Sequence, residues 1–413
     1  MGTWLVSRAE LTPEQIRAIE LDPREHRVIF GPPGSGKTLV LLYRARHLCD
    51  LWNVGPERFR IFVFTNVLKE YIRSALDYLN LPEDCVCTFD RWCLAFYCKH
   101  ISEHLPRDEE NDVPDFPGIR RAVLEEIQRN PASLPFYDFV MVDEGQDLDG
   151  ISFELMRLIA RHVTVCMDHK QQIYEGRGSS EEEILKKLKL RRCNLSLLQA
   201  LRCCPYVARL AAQFVNDPEQ KVSYLNQVKT YQGERETPLL YYAGDFEDEK
   251  RRLVEILRVR LSRGEKVAIL FPLRRQVYGF ARRFREAGLE VETMDDLDFA
   301  SGLPKMITYH SAKGLTFDTV LLPRLVPASF PNKKEETIAR LLFVGITRAT
   351  KWVYLSTYRD RALTVLGRVD PLAAEGVITI QTGQASLPVS SEGLSAGKGP
   401  GDEDEPYILD ELL

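Results

Sequence analysis

The sequence has no run of about 18 apolar residues, the length that a membrane-spanning helix needs. Its first residues, MGTWLVSRAELTPEQ, contain neither a basic cluster nor an apolar stretch long enough for a secretion signal. Its nine cysteines are an odd number, and reduced thiols are expected where no export signal is found. We therefore expect a cytoplasmic protein with no membrane partner.

The sequence also lacks a strong excess of either charge. Its formal net charge is −5 at pH 7, and residues 386–413 alone contain seven acidic residues and one lysine. Because the rest of the chain is close to neutral, the overall charge neither favours nor excludes a nucleic-acid partner.

Short apolar segments alternate with longer amphipathic segments, as in α/β proteins. Two series of buried parallel strands are predicted, the second beginning near Leu195: 27–30, 60–64, 138–142 and 163–167, then 239–242, 267–271, 306–309, 319–322 and 352–356. We therefore predict two α/β domains, at residues 1–192 and 193–380. A small surface insertion at about 100–135 and a disordered acidic tail at 381–413 complete the predicted organisation.

The segment GPPGSGKT lies between an apolar strand and an apolar helix. A glycine-rich loop in that position surrounds phosphate oxygens with backbone N–H groups at a helix N-terminus. It predicts a nucleotide site in which Lys37 reaches the β- and γ-phosphates and Thr38 binds Mg²⁺. The other loop residues predicted to bind the nucleotide are Gly31, Pro32, Pro33, Gly34, Ser35 and Gly36.

The segment VMVDEGQD is an apolar strand that ends in carboxylates. Asp143 at the strand end is suited to hold Mg²⁺ through water, and Glu144 to orient and deprotonate the water that attacks the γ-phosphate. A solvated acidic turn is the alternative interpretation, and the GPPGSGKT loop argues against it. Together the two segments predict an enzyme that hydrolyses a nucleoside triphosphate with Mg²⁺.

DEGQD resembles the DExQD box of the UvrD/Rep family of superfamily 1 helicases, and further segments resemble the family's other boxes in the same order. The resemblance covers roughly residues 11–357. It implies two tandem RecA-like P-loop NTPase domains with parallel sheets and an ATP site at their interface.

The resemblance also implies roles for residues outside the phosphate loop. In the nucleotide site, Gln15 would read adenine, Gln171 would sense the γ-phosphate, and two arginines would act as fingers: Arg202 and Arg348. Gly314 and Thr316 of YHSAKGLTF would contact the nucleotide. Contacts to single-stranded DNA would come from the residues Phe64, Thr65, Asn66, Thr88, Phe89, Tyr174, Arg177 and His310.

Several positions depart from the family pattern. Leu201 and Leu39 replace a tyrosine and a basic residue that flank the adenine, and Thr316 replaces an acidic residue at the ribose. Gly176 replaces an aromatic residue on the DNA side. The segments that carry large accessory subdomains in the family are short here, which favours ATPase activity and translocation over duplex unwinding.

The resemblance implies an ATP-dependent translocase or helicase that moves 3′ to 5′ on single-stranded DNA, driven by closure of the two domains on ATP. Two alternatives stay open. One is an ATP-gated regulatory switch or binding module for a nuclease or DNA-repair partner, and the other is a motor directed to RNA. The acidic tail is a candidate docking peptide for such a protein partner, with a solubilising end as the alternative.

Cysteines are concentrated in CVCTFDRWCLAFYCKH, with Cys85, Cys87, Cys93 and Cys98 close in sequence. Their spacing is not that of a standard zinc finger, and helical positions 93 and 98 would point about 140° apart. We expect these thiols to pack as small apolar groups, with a metal site as the alternative.

Overall fold

The computed structural model describes residues 4–108, 113–131, 137–168, 179–191, 195–197, 203–228 and 236–384. In these residues the chain forms two six-stranded sheets flanked by helices. No helix in this part of the chain is both long enough and apolar enough to cross a membrane. The predicted fold, two tandem RecA-like α/β domains with parallel sheets, is confirmed.

The first sheet is entirely parallel. Its strands are β1 (Arg27–Phe30), β2 (Phe59–Val63), β3 (Val86–Thr88), β4 (Tyr137–Val142), β5 (Ala160–Met167) and β6 (Leu195–Ser196). They lie in the order β3-β2-β4-β5-β1-β6. The helices of this half are α1 (Pro13–Ile19), α2 (Lys37–Trp52), α3 (Asn66–Leu76), α4 (Phe89–His100), α5 (Phe116–Arg129), α6 (Gly150–Ile159) and α7 (Glu181–Lys187).

The second sheet is parallel as well. Its strands are β7 (Leu239–Ala243), β8 (Val267–Phe271), β9 (Lys305–Thr308), β10 (Phe317–Leu322), β11 (Ala349–Tyr358) and β12 (Thr379–Thr382). They lie in the order β12-β7-β11-β10-β8-β9. The helices of this half are α8 (Pro205–Ala212), α9 (Pro218–Gln227), α10 (Phe246–Ser262), α11 (Arg274–Glu286), α12 (Glu335–Ile346) and α13 (Asp370–Ala374).

The central strands are apolar along most of their length because helices cover both faces of each sheet. All five residues of β8 are buried, as are five of the six in β4. Hydroxyl side chains mark where helices begin after strands: Thr65 accepts a hydrogen bond from the Leu68 amide and Thr88 from the Arg91 amide. Because the strands of each sheet are parallel, the loops that follow them meet at one edge of that sheet.

The segment predicted as a surface insertion contributes instead to the core of the first domain. Its helix α5 packs against α4 and α6, and Ile119 is fully buried. Arg120 pairs with Asp90 at 2.9 Å and with Asp149 at 2.5 Å. Charge and proline in the flanking residues predicted exposure, whereas the apolar face of the helix and this ion-pair network hold it against the domain.

Two strands at the predicted boundaries differ from expectation. Leu195 and Ser196 pair with β1 of the first sheet, so the second series of strands starts at Leu239. At the other end, β12 pairs with β7 through Thr382, past the predicted start of the tail at residue 381. β6 has only two residues and all four residues of β12 are exposed, so neither shows the apolar pattern of a buried strand.

The clustered cysteines lie in separate environments. Cys85 is buried in the core on one face of the first sheet, Cys93 is buried in the cluster on the other face, and Cys98 is exposed. Burial raises the pKa of the Cys85 thiol to about 12. Among the residues described, no three or more histidine, cysteine and carboxylate side chains are arranged to hold a metal ion.

Candidate active site

The phosphate loop connects β1 to α2, as the sequence predicts. Gly34 and Gly36 have φ angles of 76° and 84°, in the left-handed region that side chains disfavour. A Cβ atom on Gly31 would lie 2.3 Å from Ser35 Oγ, so a larger residue there would displace the serine side chain. The loop ends at the N-terminus of a 16-residue helix, where unpaired amides favour an anion.

The two polar side chains at the start of α2 point toward different partners. Lys37 Nζ donates to the carbonyl oxygens of Gly31 and Pro32 at 2.9 and 3.2 Å, and lies 3.9 Å from an Asp168 oxygen. Thr38 Oγ1 donates to Asp143 Oδ2 at 2.6 Å. The helix start and the end of β4 are thereby joined through a hydroxyl and a carboxylate, both suitable Mg²⁺ ligands.

The carboxylates at the end of β4 are both buried and differ in pKa. Burial and the neighbouring Glu144 raise the pKa of Asp143 to about 6. Burial acts to raise the pKa of Glu144 as well, but Lys313, Lys37 and Arg348 bring it below its ordinary value. Glu144 is therefore ionised at neutral pH, as a general base must be.

Glu144 also has a left-handed backbone, with a φ of 52°. Non-glycine residues in this region carry strain, which often accompanies a functional role. Gln146, which the sequence analysis did not single out, donates to Glu144 Oε2 at 2.5 Å and accepts from the Asp168 amide at 3.0 Å. Its amide fixes the orientation of the Glu144 carboxylate relative to the end of β5.

The second domain places a buried cation against these carboxylates. Lys313 Nζ is 2.5 Å from Asp147 Oδ2 and 3.7 Å from Glu144 Oε2. Lys313 and Asp147 are 166 positions apart in the sequence. Burial raises the pKa of Asp147 to about 6, although Lys313 opposes the rise. Sequence reasoning missed this pair, although both residues lie within segments that resemble family boxes.

Arg348, the predicted finger of the second domain, is buried as well. Its guanidinium donates to the carbonyl oxygens of Val344 and Leu315 at 3.1 and 3.4 Å and to Thr347 Oγ1 at 3.2 Å. Burial lowers its pKa, whereas the first-domain carboxylates of Glu144 and Asp168 raise it. The side chain thus contacts its own domain while lying within the electrostatic influence of the other.

A cavity of about 440 Å³ lies between the two domains. Seven predicted nucleotide-site residues of the first domain line it: Gln15, Pro33, Gly34, Gly36, Lys37, Thr38 and Glu144. From the second domain come Gly314, Thr316 and Arg348. Gly314 has a φ of 78°, and a Cβ atom there would lie 3.0 Å from Leu68 of α3, so close domain contact requires glycine.

Gln15 is held tightly beside the phosphate loop. Its Nε2 donates to the Ser35 carbonyl oxygen at 3.0 Å, and its Oε1 accepts from the Thr12 amide at 3.0 Å. Of the remaining predicted residues, Gln171 and Arg202 of the nucleotide site and Tyr174 and Arg177 of the DNA contacts lie outside the described residues.

The predicted DNA contacts that the structure describes lie at or just after the ends of strands. Thr65 and Thr88 begin α3 and α4 as caps, Asn66 is the first residue of α3, and Phe64 is partly buried. His310 lies after β9, on the second domain. Their contacts with DNA stay a prediction.

Phe89 belongs to the core, and its contact with DNA stays a prediction. The residue is 1% exposed, and its ring packs against Phe62 and Trp92 with centroids 5.1 and 5.9 Å away. An apolar residue after a strand looks like a stacking platform in the sequence, but here it belongs to the core between β2 and α4.

Comparison with known proteins shows two matching family domains. The UvrD/REP helicase N-terminal domain matches residues 11–132 and 133–190, and the UvrD-like helicase C-terminal domain matches residues 305–360. Together these matches include the phosphate loop, the DEGQD segment, Lys313 and Arg348.

Individual relatives are more distant. The chain is 26% identical over 382 residues to "Putative ATP-dependent DNA helicase R568" of Acanthamoeba polyphaga mimivirus, covering 84% of this chain and 54% of that protein. It is 26% identical over 240 residues to "Probable DNA helicase" of Mycoplasma pneumoniae, covering 52% of this chain and 43% of that protein. A 59-residue match to the mitochondrial ATP-dependent DNA helicase HMI1 of Saccharomyces cerevisiae is 42% identical and covers 14% of this chain and 8% of that protein.

The chain spans about half the length of the first two relatives. The matched family domains nevertheless cover more than half of this chain, and the buried groups described above lie within them. The chain belongs to the UvrD/Rep family of superfamily 1 helicases.

Proposed function

We propose that this chain is an ATP-dependent translocase or helicase acting on single-stranded DNA, with two RecA-like domains that close on ATP. The main observation behind this proposal is that the phosphate loop and Glu144 of one domain line the same cavity as Arg348 of the other domain. The relatives named as ATP-dependent DNA helicases support the proposal.

The residues present fit a magnesium nucleotide. The hydroxyl of Thr38 and the carboxylate of Asp143 form an oxygen donor set suited to Mg²⁺. When bound, Mg²⁺ would neutralise charge on the phosphates. The ammonium of Lys37, now on loop carbonyl oxygens, lies at the mouth of the anion-binding loop and would exchange these contacts for phosphate oxygens.

Glu144 would act as the general base in hydrolysis. Its backbone is strained, and its carboxylate is ionised and oriented by Gln146. The carboxylate can therefore take a proton from the attacking water. The charge that develops on the γ-phosphate would be balanced by Lys37 and Arg348. Gln171 and Arg202 would assist as the γ-phosphate sensor and the first finger, as the family resemblance implies.

Hydrolysis would be coupled to movement through the domain interface. Lys313 touches Asp147 and approaches Glu144, so a change in charge at the base alters a contact between domains. Closure and release of two DNA-binding halves would move the chain along single-stranded DNA. The 3′-to-5′ direction is inferred from the resemblance alone.

A regulatory switch is the second candidate. Between β3 and β4, where family members carry a large accessory subdomain, the described residues contain only α4 and α5. A core of this kind could use ATP to gate binding of a nuclease or DNA-repair partner, with the acidic tail as the docking peptide. The tail beyond residue 384 lies outside the described residues.

ATPase measurements test the proposal. The rate of phosphate release is measured without nucleic acid and with single-stranded DNA, single-stranded RNA or duplex DNA. We expect strong stimulation by single-stranded DNA and a loss of about 10²- to 10⁴-fold in Glu144→Gln, because the amide cannot accept the proton. Glu154→Gln, which removes a charge paired with Lys187 on the first domain, serves as the matched control.

A rate that is the same with every nucleic acid would contradict the motor and favour the switch. Stimulation by RNA alone would redirect the proposal to an RNA substrate. Phosphate release that survives Glu144→Gln would show that another group is the base.

A further inference from the structure

An aromatic pair lies in the wall of the interdomain cavity, away from the sequence motifs. Trp4 stacks on Tyr71 of α3, with ring centroids 4.4 Å apart and planes inclined by 13°. The indole Nε1 donates to the Tyr71 carbonyl oxygen at 3.0 Å. Tyr71 is 5% exposed, whereas Trp4 is only partly buried, so the indole keeps accessible surface.

The segment that carries Trp4 is held on α2 as well as on α3. The Tyr43 hydroxyl donates to the Val6 carbonyl oxygen at 2.7 Å, and Leu5 is buried in the same core cluster as Tyr71. These contacts fix the indole before any ligand arrives. A fixed aromatic ring loses little conformational entropy when a ligand stacks on it.

The pair lies in the cavity that contains the phosphate loop. Trp4, Leu39 and Tyr71 line it together with Gly34 and Lys37. A nucleotide anchored by its phosphates at the loop must place its base against another part of this cavity. Planar bases are held well by aromatic side chains, and the first-domain wall offers Trp4 and Tyr71 for this purpose.

Gln15 also lines the cavity, and its amide keeps one N–H donor and one oxygen lone pair beyond its two hydrogen bonds. Those two bonds join its oxygen to the Thr12 amide and its nitrogen to the Ser35 carbonyl oxygen. We propose that the nucleobase stacks on the Trp4 indole, which Tyr71 supports from its other face, and that this stacking contributes to the base preference. The inference rests on the proposed nucleotide binding.

A preference for larger bases follows. Stacking energy depends on ring area, and every base has a π-face, so the indole is expected to favour ATP over UTP. The difference between ATP and UTP should shrink when the indole is removed. A residue that only anchored the N-terminal segment would not change that ratio.

The experiment compares three ligands with and without a base. Dissociation constants for ATP, UTP and inorganic tripolyphosphate, each with Mg²⁺, are measured by calorimetry for the full chain and for Trp4→Ala, Trp4→Phe and Trp52→Phe. Trp52, at the far end of α2 from the phosphate loop, is the matched control. We expect Trp4→Ala to weaken ATP about tenfold, Trp4→Phe to weaken it less, and tripolyphosphate to bind all four proteins equally.

Tryptophan fluorescence gives a second readout. ATP should quench the emission of the wild-type chain and of Trp52→Phe, and the quench should be lost in Trp4→Phe. Unchanged ATP affinity in Trp4→Ala, or equal weakening of ATP and tripolyphosphate, overturns the inference. If the wild-type chain binds tripolyphosphate and ATP equally, the stacking proposal is overturned and the proposed nucleotide binding stands. If the wild-type chain binds neither ligand, the proposed function is overturned as well.

Discussion

Buried carboxylates decide the chemistry at the scale of single residues. Asp143 and Glu144 are adjacent, yet their surroundings shift their pKa values in opposite directions. The cations Lys313, Lys37 and Arg348 favour the ionised form of Glu144, whereas burial and its neighbour disfavour it in Asp143. In the proposed mechanism, Glu144 would thereby serve as the base and Asp143 as a ligand that a metal ion would stabilise.

The raised pKa of Asp143 predicts a stability effect that depends on pH. Its value of about 6 in the folded chain lies above the ordinary 3.8, so the folded state binds this proton more tightly than the unfolded state. The free energy of unfolding therefore falls as pH rises from about 4 to about 6. Asp143→Asn removes this loss and should stabilise the chain by on the order of 2 kcal/mol at pH 7.5 without Mg²⁺.

Denaturant unfolding over a pH series measures this gain, which should grow between about pH 4 and pH 6 and stay constant above. Asp138→Asn is the control, because Asp138 pairs with Arg58 and Arg161 near the surface. A gain that does not vary with pH would contradict the assigned protonation.

At the scale of elements, the loops after parallel strands bring the chemistry together. The phosphate loop follows β1, Glu144 follows β4 and Asp168 follows β5, and these strands are neighbours in the sheet. Their carboxyl ends share one edge, where open α/β sheets bind their ligands. The second domain differs: Lys313 and Gly314 precede β10 and Arg348 precedes β11, so this domain meets the cavity with the amino ends of its strands.

The loop that carries Lys313 should tie the two domains together. Lys313 and Asp147 are both buried, so Lys313→Met leaves an uncompensated carboxylate. We expect a loss of about 3–5 kcal/mol in the free energy of unfolding, and a partial restoration when Asp147→Asn is added. Denaturant unfolding at pH 7.5 measures both.

The control for this pair is Lys250→Met, which breaks a surface contact with Glu247. Exposed pairs contribute little, so this variant should unfold almost as the wild type does. If Lys313→Met unfolds at the same denaturant concentration as Lys250→Met, the contact between domains carries no stability. If the double variant is no more stable than Lys313→Met, the cost does not come from the unpaired Asp147 carboxylate.

At the scale of the whole molecule, the acidic end of the chain is separable from the proposed motor. Residues 386–413 carry seven acidic residues and one lysine, whereas the rest of the chain is close to neutral, and they follow β12, the last strand in the described residues. Deleting them should leave the ATPase rate unchanged, because no residue assigned to the cavity lies there, and should abolish capture of a protein partner in a pull-down. Retained capture by the shortened chain would exclude the tail as the docking peptide.

Local pattern was enough for the parts of the site that are continuous in sequence. GPPGSGKT and VMVDEGQD each place a loop directly after an apolar strand, so the positions of Lys37, Asp143 and Glu144 follow from a few adjacent residues. The strand series likewise predicted two parallel sheets, because strands covered on both faces are apolar throughout. It missed β3 and β6, which have three and two residues, and β12, whose four residues are all exposed.

By itself, the sequence determined the fold class, the phosphate loop and the acidic strand end, since each depends on backbone preferences and side chains that are neighbours in the chain. Only the tertiary structure decided that Lys313 meets Asp147, that Trp4 stacks on Tyr71 and that Phe89 is hidden. The first two contacts join residues 166 and 67 positions apart. Contacts at such separations depend on how helices and sheets pack, which no local pattern records.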